Sequence, residues 1–173
     1  MSRAVFVLNG PNLNMLGRRE PEIYGTTTLQ QVQQSCEQLA NELDLVCEFR
    51  QTNSEAVMVD WIQEAFDKNA AVIINPAGLS FNSIPVLDAL KLIKAPLVEV
   101  HISNIHARDE LHRHSIMSTV ANGVIAGLGV EGYLLALRAV CTRLSERWPT
   151  SLLPRPRAEI KRVTEAQDIH RSS

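Results

Sequence analysis

Five short apolar runs, at residues 5–8, 45–49, 70–74, 97–101 and 124–126, alternate with stretches whose apolar residues recur at helical spacing. Repeats of this kind close by right-handed crossovers into a parallel sheet with helices on both faces. The run at 70–74 is continuously apolar, as expected of a strand covered on both sides. Leu29, Val32, Cys36, Leu39, Ala40 and Leu43 mark a first amphipathic helix. A second begins near Ser54, a suitable N-cap, and is expected to bury Val57, Trp61, Ile62, Ala65 and Phe66. A third starts at Ser83, with Pro85 in the first turn, where a missing N–H costs little. A last helix spans 132–148 and turns Leu134, Leu137, Val140, Cys141 and Leu144 inward. The expected fold is α/β: a flavodoxin-like three-layer sandwich around a five-stranded parallel sheet of order 2-1-3-4-5. The 173 residues suffice for one domain, placed at 1–148. For the Pro-containing polar tail at 149–173, partial disorder and packing on a neighbouring subunit both stay open, with partial disorder the expectation.

The connection after the first strand, NGPNLNMLGRREPEIYG at 9–25, is far longer than a strand-to-helix loop requires. An overlong ordered loop is usually functional, and this one reads as an active-site loop ending in a mobile lid. Ligands in such sheets bind beyond the carboxyl ends of the strands, where strand order reverses. The ends of the first, third and fourth strands meet there, so 9–25, 75–83 and 101–103 converge. A net charge of −2 supplies no basic footprint for nucleic acid. No apolar run reaches membrane-spanning length and no secretory pattern opens the chain, so a cytoplasmic protein is expected. Cys36, Cys47 and Cys141 lack metal-ligand spacing and read as reduced thiols.

Within the loop, Arg18, Arg19 and Glu20 precede Tyr24. A phenol with a reference pKa of about 10 is a poor base at neutral pH, and adjacent guanidinium groups stabilise its phenolate. Bringing it near neutrality takes about 4 kcal/mol. Taken alone, the same residues are also what solvated loop charges and a packed ring would look like. Glu99 and His101 lie two apart on a strand and face the same way, so the carboxylate can orient the imidazole and set its tautomer. Ser103 and Asn104 follow with polar groups for an oxygen-rich ligand. His101, His106, His112 and His114 crowd one segment, yet their spacing fits no zinc pattern, and no metal is expected. The glycines between 123 and 132 form neither a Walker A nor a dinucleotide fingerprint.

Four segments in order, NGPNLNMLGRREPEIYG, VIINPAGLSFNS, EVHISNIHARDELHRHS and GVIAGLGVEGYLLAL, resemble those of type II 3-dehydroquinate dehydratase over roughly the first 145 residues. The resemblance implies reversible anti dehydration of 3-dehydroquinate to 3-dehydroshikimate through an enolate, with neither metal nor organic cofactor. It implies that Tyr24 is the base, that Arg19 lowers its pKa with help from Arg108, and that Asn12 holds a water at the enolate oxygen. His101, oriented by Glu99, would protonate the departing hydroxyl. Asn75, Ser103 and the backbone of Ile102 would hold the substrate carboxylate. Asp88 would reach a neighbour's site in a homo-oligomer, a dodecamer built from trimers. The only other partner implied is the small-molecule substrate.

Two positions depart from the family pattern, which usually has histidine and then threonine where this chain has Phe81 and Asn82, and arginine where it has His112. Those family side chains bind ring hydroxyls; Phe81 can neither donate nor accept a hydrogen bond. A second reading is therefore a relative specialised for an altered substrate such as aminodehydroquinate. A third is a non-catalytic binding module on the same sheet.

Overall fold

The computed structural model describes residues 3–18 and 26–145. Arg19, Glu20, Tyr24 and the tail at 149–173 lie outside the described residues. The strands are β1 Ala4–Asn9, β2 Val46–Gln51, β3 Ala71–Asn75, β4 Leu97–His101 and β5 Gly123–Ala126. They form one sheet of order β2-β1-β3-β4-β5, parallel at every pairing, as the alternation predicts. The longer helices are α1 Leu29–Glu42, α2 Glu55–Asp67, α3 Ile84–Leu90 and α4 Glu131–Ser145.

Strand parity sorts the core into two layers. Val5, Val7, Ala71, Ile73, Val98 and Val100 pack with α1 and α4. Phe6, Leu8, Val72, Ile74 and Leu97 pack with α2 and α3. Because both faces are covered, β1 and β3 need apolar residues at consecutive positions, which is why those runs show no alternation. Helix starts follow their caps. Thr28 and Gln31 form a capping box on α1, Ser54 caps α2 by accepting from Val57 N, and Ser83 caps α3 by accepting from Val86 N. Cys36, on α1, is fully buried between that helix and the sheet, and burial pushes its thiol up to about 12, so it stays an inert apolar filler.

Three expectations need correction. On α2 the buried positions are Met58, Ile62 and Ala65, whereas Phe66 is exposed and Val57 and Trp61 are half-buried. The buried stripe runs i, i+4, i+7 from residue 58, which leaves Phe66 at its margin and exposed. On α4 the buried side chains include Tyr133, Ala136, Leu137 and Val140, while Leu134, Cys141 and Leu144 are only partly covered. β2 also starts one residue later than expected and reaches Gln51, because Arg50 and Gln51 pair in register with Leu8 and Asn9. Among the described residues, no helix is long and apolar enough to cross a membrane.

Candidate active site

β1, β3 and β4 end at Asn9, Asn75 and His101, and the order of the sheet reverses between β1 and β3. Three loops leave this edge and enclose a cavity of about 270 Å³. The first loop turns immediately at Gly10, whose N–H donates to Asn75 O at 2.9 Å. A Cβ there would sit 2.3 Å from Pro76 O, so the loops after β1 and β3 can approach this closely only through glycine. Asn12 follows in the left-handed region (φ 67°), with its N–H donating to Asn53 Oδ1 at 3.0 Å, and a short 3-10 turn at Leu13–Met15 completes this wall.

Asn12, Asn75, His101, Ser103 and Arg108 bring polar groups to the cavity, together with Ile102. Arg108 Nη2 donates to Ser103 Oγ at 2.5 Å, which holds a guanidinium charge beside that hydroxyl. Leu13, Met15, Ile105, Phe81 and His112 add apolar and aromatic surface to the lining. Phe81 meets His112 edge to face, with ring centroids 5.0 Å apart at 83°. His112 Nδ1 is in turn 2.8 Å from each carboxylate oxygen of Asp109, and this contact holds the Asp109 carboxyl below its ordinary value. The structure thus gathers Asn12, Asn75, Phe81, His101, Ile102, Ser103, Arg108 and His112 around one space. Asp88 stands apart from it, exposed on α3 and paired with Lys91 at 2.7 Å.

Glu99 lies behind His101 and has no exposure to solvent. His101 Nε2 is 2.6 Å from Glu99 Oε1. Burial opposes the charge on Glu99, but hydrogen bonds from His101, Ser115 and Ser118 outweigh it and hold the carboxyl below its usual range. An ionised carboxylate only accepts, so Nε2 carries the hydrogen of that contact, and Nδ1, with no partner among the described residues, is left for the cavity side.

Three supporting side chains escaped the sequence reading. Ser115 and Ser118 donate to Glu99 from a turn sixteen and nineteen residues downstream. Tyr133 is fully buried on α4, donates its hydroxyl to Asn9 Oδ1 at 2.7 Å and accepts from Asn75 Nδ2 at 2.8 Å. Burial pushes its phenol far up, so it remains a hydroxyl donor. The available signal was a phenol placed one position before the apolar stripe of α4, which in a core demands a partner. Among the described residues, no three His, Cys, Asp or Glu side chains converge as a metal site would require.

The family model described as "Dehydroquinase class II" matches residues 3–141. The 3-dehydroquinate dehydratase of Brucella canis is 53% identical over 146 residues, covering 84% of this chain and 93% of the relative. Among solved structures, a type II dehydroquinase from Propionibacterium acnes superposes with a TM-score of 0.79 at 51% identity, covering 82% of this chain and 98% of that one. Another, from Butyrivibrio crossotus, gives a TM-score of 0.78 at 34% identity, covering 80% and 97%.

Proposed function

This chain belongs to the class II dehydroquinase family, and on that premise we infer that it is a hydro-lyase converting 3-dehydroquinate to 3-dehydroshikimate. The observation that carries the reading is the buried Glu99–His101 pair opening onto a cavity whose polar wall contains Asn12, Asn75, Ser103 and Arg108. Elimination beside a ketone needs a base for the carbon-bound proton, a stabilised oxyanion and an acid for the leaving oxygen. In this reading Tyr24 takes the proton, with Arg19 and Arg108 favouring its phenolate. The C–H electron pair moves into an enolate, whose oxygen is stabilised through a water held by Asn12. The enolate then expels the hydroxyl, and His101, acting as the imidazolium with Nε2–H held on Glu99, gives its Nδ1 proton so that the hydroxyl leaves as water and the ring becomes the neutral Nε2–H tautomer. Asn75, Ser103 and the Ile102 backbone hold the substrate carboxylate.

In this reading Phe81 and His112, in edge contact with each other, lie at the part of the cavity that receives the end of the substrate away from the reacting carbons. The reading takes 1–148 as one catalytic domain of a cytoplasmic enzyme of the shikimate or quinate pathway. It places Asp88 at a subunit contact in a dodecamer of trimers. Incubating the purified protein with 3-dehydroquinate should produce the ultraviolet absorbance of a conjugated enone, and Tyr24→Phe and His101→Gln should each abolish it. Absence of product at high enzyme concentration refutes the activity.

A further inference from the structure

Ser115 and Ser118 lie at either side of Met117, which is fully buried in the layer packed against α2 and α3. That burial pins the 3-10 turn Met117–Thr119, and Ile116 N donates to Ser80 O at 2.9 Å, tying it to the loop that lines the cavity. Ser115 Oγ accepts from Met117 N at 3.2 Å and donates its own hydrogen to Glu99 Oε1. Ser118 donates to Glu99 Oε2 at 2.5 Å. With His101 at Oε1, three donors face the two oxygens of one buried carboxylate. This donor set is directional, because a neutral acid would have to reverse one of the contacts.

From these contacts we propose that Ser115 and Ser118 are positioning residues for the His101–Glu99 pair: they keep Glu99 an anion that only accepts, and so hold the Nε2–H of His101 on Glu99 and leave Nδ1 as the nitrogen that exchanges a proton on the cavity side. The proposal rests on the dehydratase reading for its kinetic consequence alone. Around Glu99, β3 and β5 present Ile74 and Val124 in register, neither of them titratable. The helices on its face of the sheet contribute apolar side chains such as Ile62, Val86 and Leu90. Among the described residues the titratable group in contact with Glu99 is His101, and the two hydroxyls are the means by which the fold compensates burial of the charge. Neither serine lines the cavity, so their loss should act on turnover and not on substrate binding.

The test compares Ser115→Ala, Ser118→Ala, the double variant and Ser118→Thr with the wild type. Each lost hydroxyl should raise by about one pH unit the midpoint at which the His101 ring signals report protonation of Glu99, since a hydrogen bond to a charged group is lost from the anion. Relative to the wild type, the double variant should lose kcat progressively below pH 7, up to about 100-fold, with KM within about twofold, and Ser118→Thr should keep the wild-type midpoint. Nitrogen-15 NMR of the histidine rings, with His101 assigned through His101→Gln, reads the same proposal without turnover. The wild-type ring should show the Nε2–H tautomer, and the double variant a mixture of tautomers. A wild type that makes no enone refutes the dehydratase reading and leaves the NMR comparison to decide this one. An unchanged tautomer signature in the double variant overturns the proposal. So does a loss of kcat at every pH without movement of that Glu99 midpoint.

Discussion

Replacing Tyr133 by phenylalanine removes one oxygen from the centre of the molecule and little else. The ring keeps its volume, so the apolar packing around it survives. What is lost is a donor to Asn9 Oδ1 and an acceptor for Asn75 Nδ2, at 2.7 and 2.8 Å. Both amides are buried, Asn9 fully and Asn75 at 4% exposure, so water cannot replace the hydroxyl. An unsatisfied buried polar group costs about 1–3 kcal/mol. Asn9 Nδ2 keeps its bond to Arg50 O at 3.0 Å, and Asn75 Oδ1 keeps that from Ala77 N at 3.3 Å, which limits the damage to one atom of each amide. The expected destabilisation is about 2–4 kcal/mol, read as a lower urea midpoint at unchanged slope. Because Asn75 lines the cavity, releasing its amide should also raise KM for 3-dehydroquinate several-fold while kcat changes less. A midpoint within error of the wild type, together with an unaltered KM, would refute the argument that this hydroxyl anchors the two strand ends.

Gly10→Ala should cost at least about 2 kcal/mol and most of the activity, because its Cβ would meet Pro76 O at 2.3 Å and force apart two loops that form the cavity; thermal unfolding and the enone assay both report it. The double change Phe81→His with His112→Arg should lower KM for 3-dehydroquinate about tenfold, worth about 1.4 kcal/mol, by placing hydrogen-bonding groups on the aromatic wall; an unchanged or higher KM refutes that account of the wall. Glu64 is held down to about 2 from 4.5 by hydrogen bonds from Arg50 and then Lys68. A depressed carboxyl stabilises the fold above its unfolded value and loses that contribution as pH falls from about 4.5 to about 2. Glu64→Gln should therefore lower the unfolding temperature slightly at pH 7 and approach the wild type across that acid window. The effect is modest, because the pair is screened at the surface.

The residues that belong to strands and to their ends were legible from pattern. β4 was located at 97–101, and the parity of Glu99 and His101 followed from it, since side chains two apart on a strand share a face. The convergence of Asn75, His101 and Ser103 followed from the strand order, because a parallel sheet brings the carboxyl ends of its strands to one edge. The burial on α2 was misread where it depended on which way the helix rolls over the sheet. That choice placed Met58 inside and Phe66 outside, and periodicity alone leaves it open by about one residue in either direction.

The contacts that complete the site are of another kind. Ser115 and Ser118 reach Glu99 only because Met117 packs into the core between them, and Tyr133 reaches Asn9 across 124 residues because α4 packs on β3 and β4, next to the end of β1. Short-range sequence pattern carries periodicity, capping and strand parity, since these depend on neighbours within a few positions. It was therefore enough for the element order, the sheet and the strand-borne pair His101 and Glu99. Which hydroxyl satisfies a buried amide or carboxylate depends instead on groups distant in sequence that share one desolvated volume. Only the packed structure could assign those partners, because only there has water been removed from both.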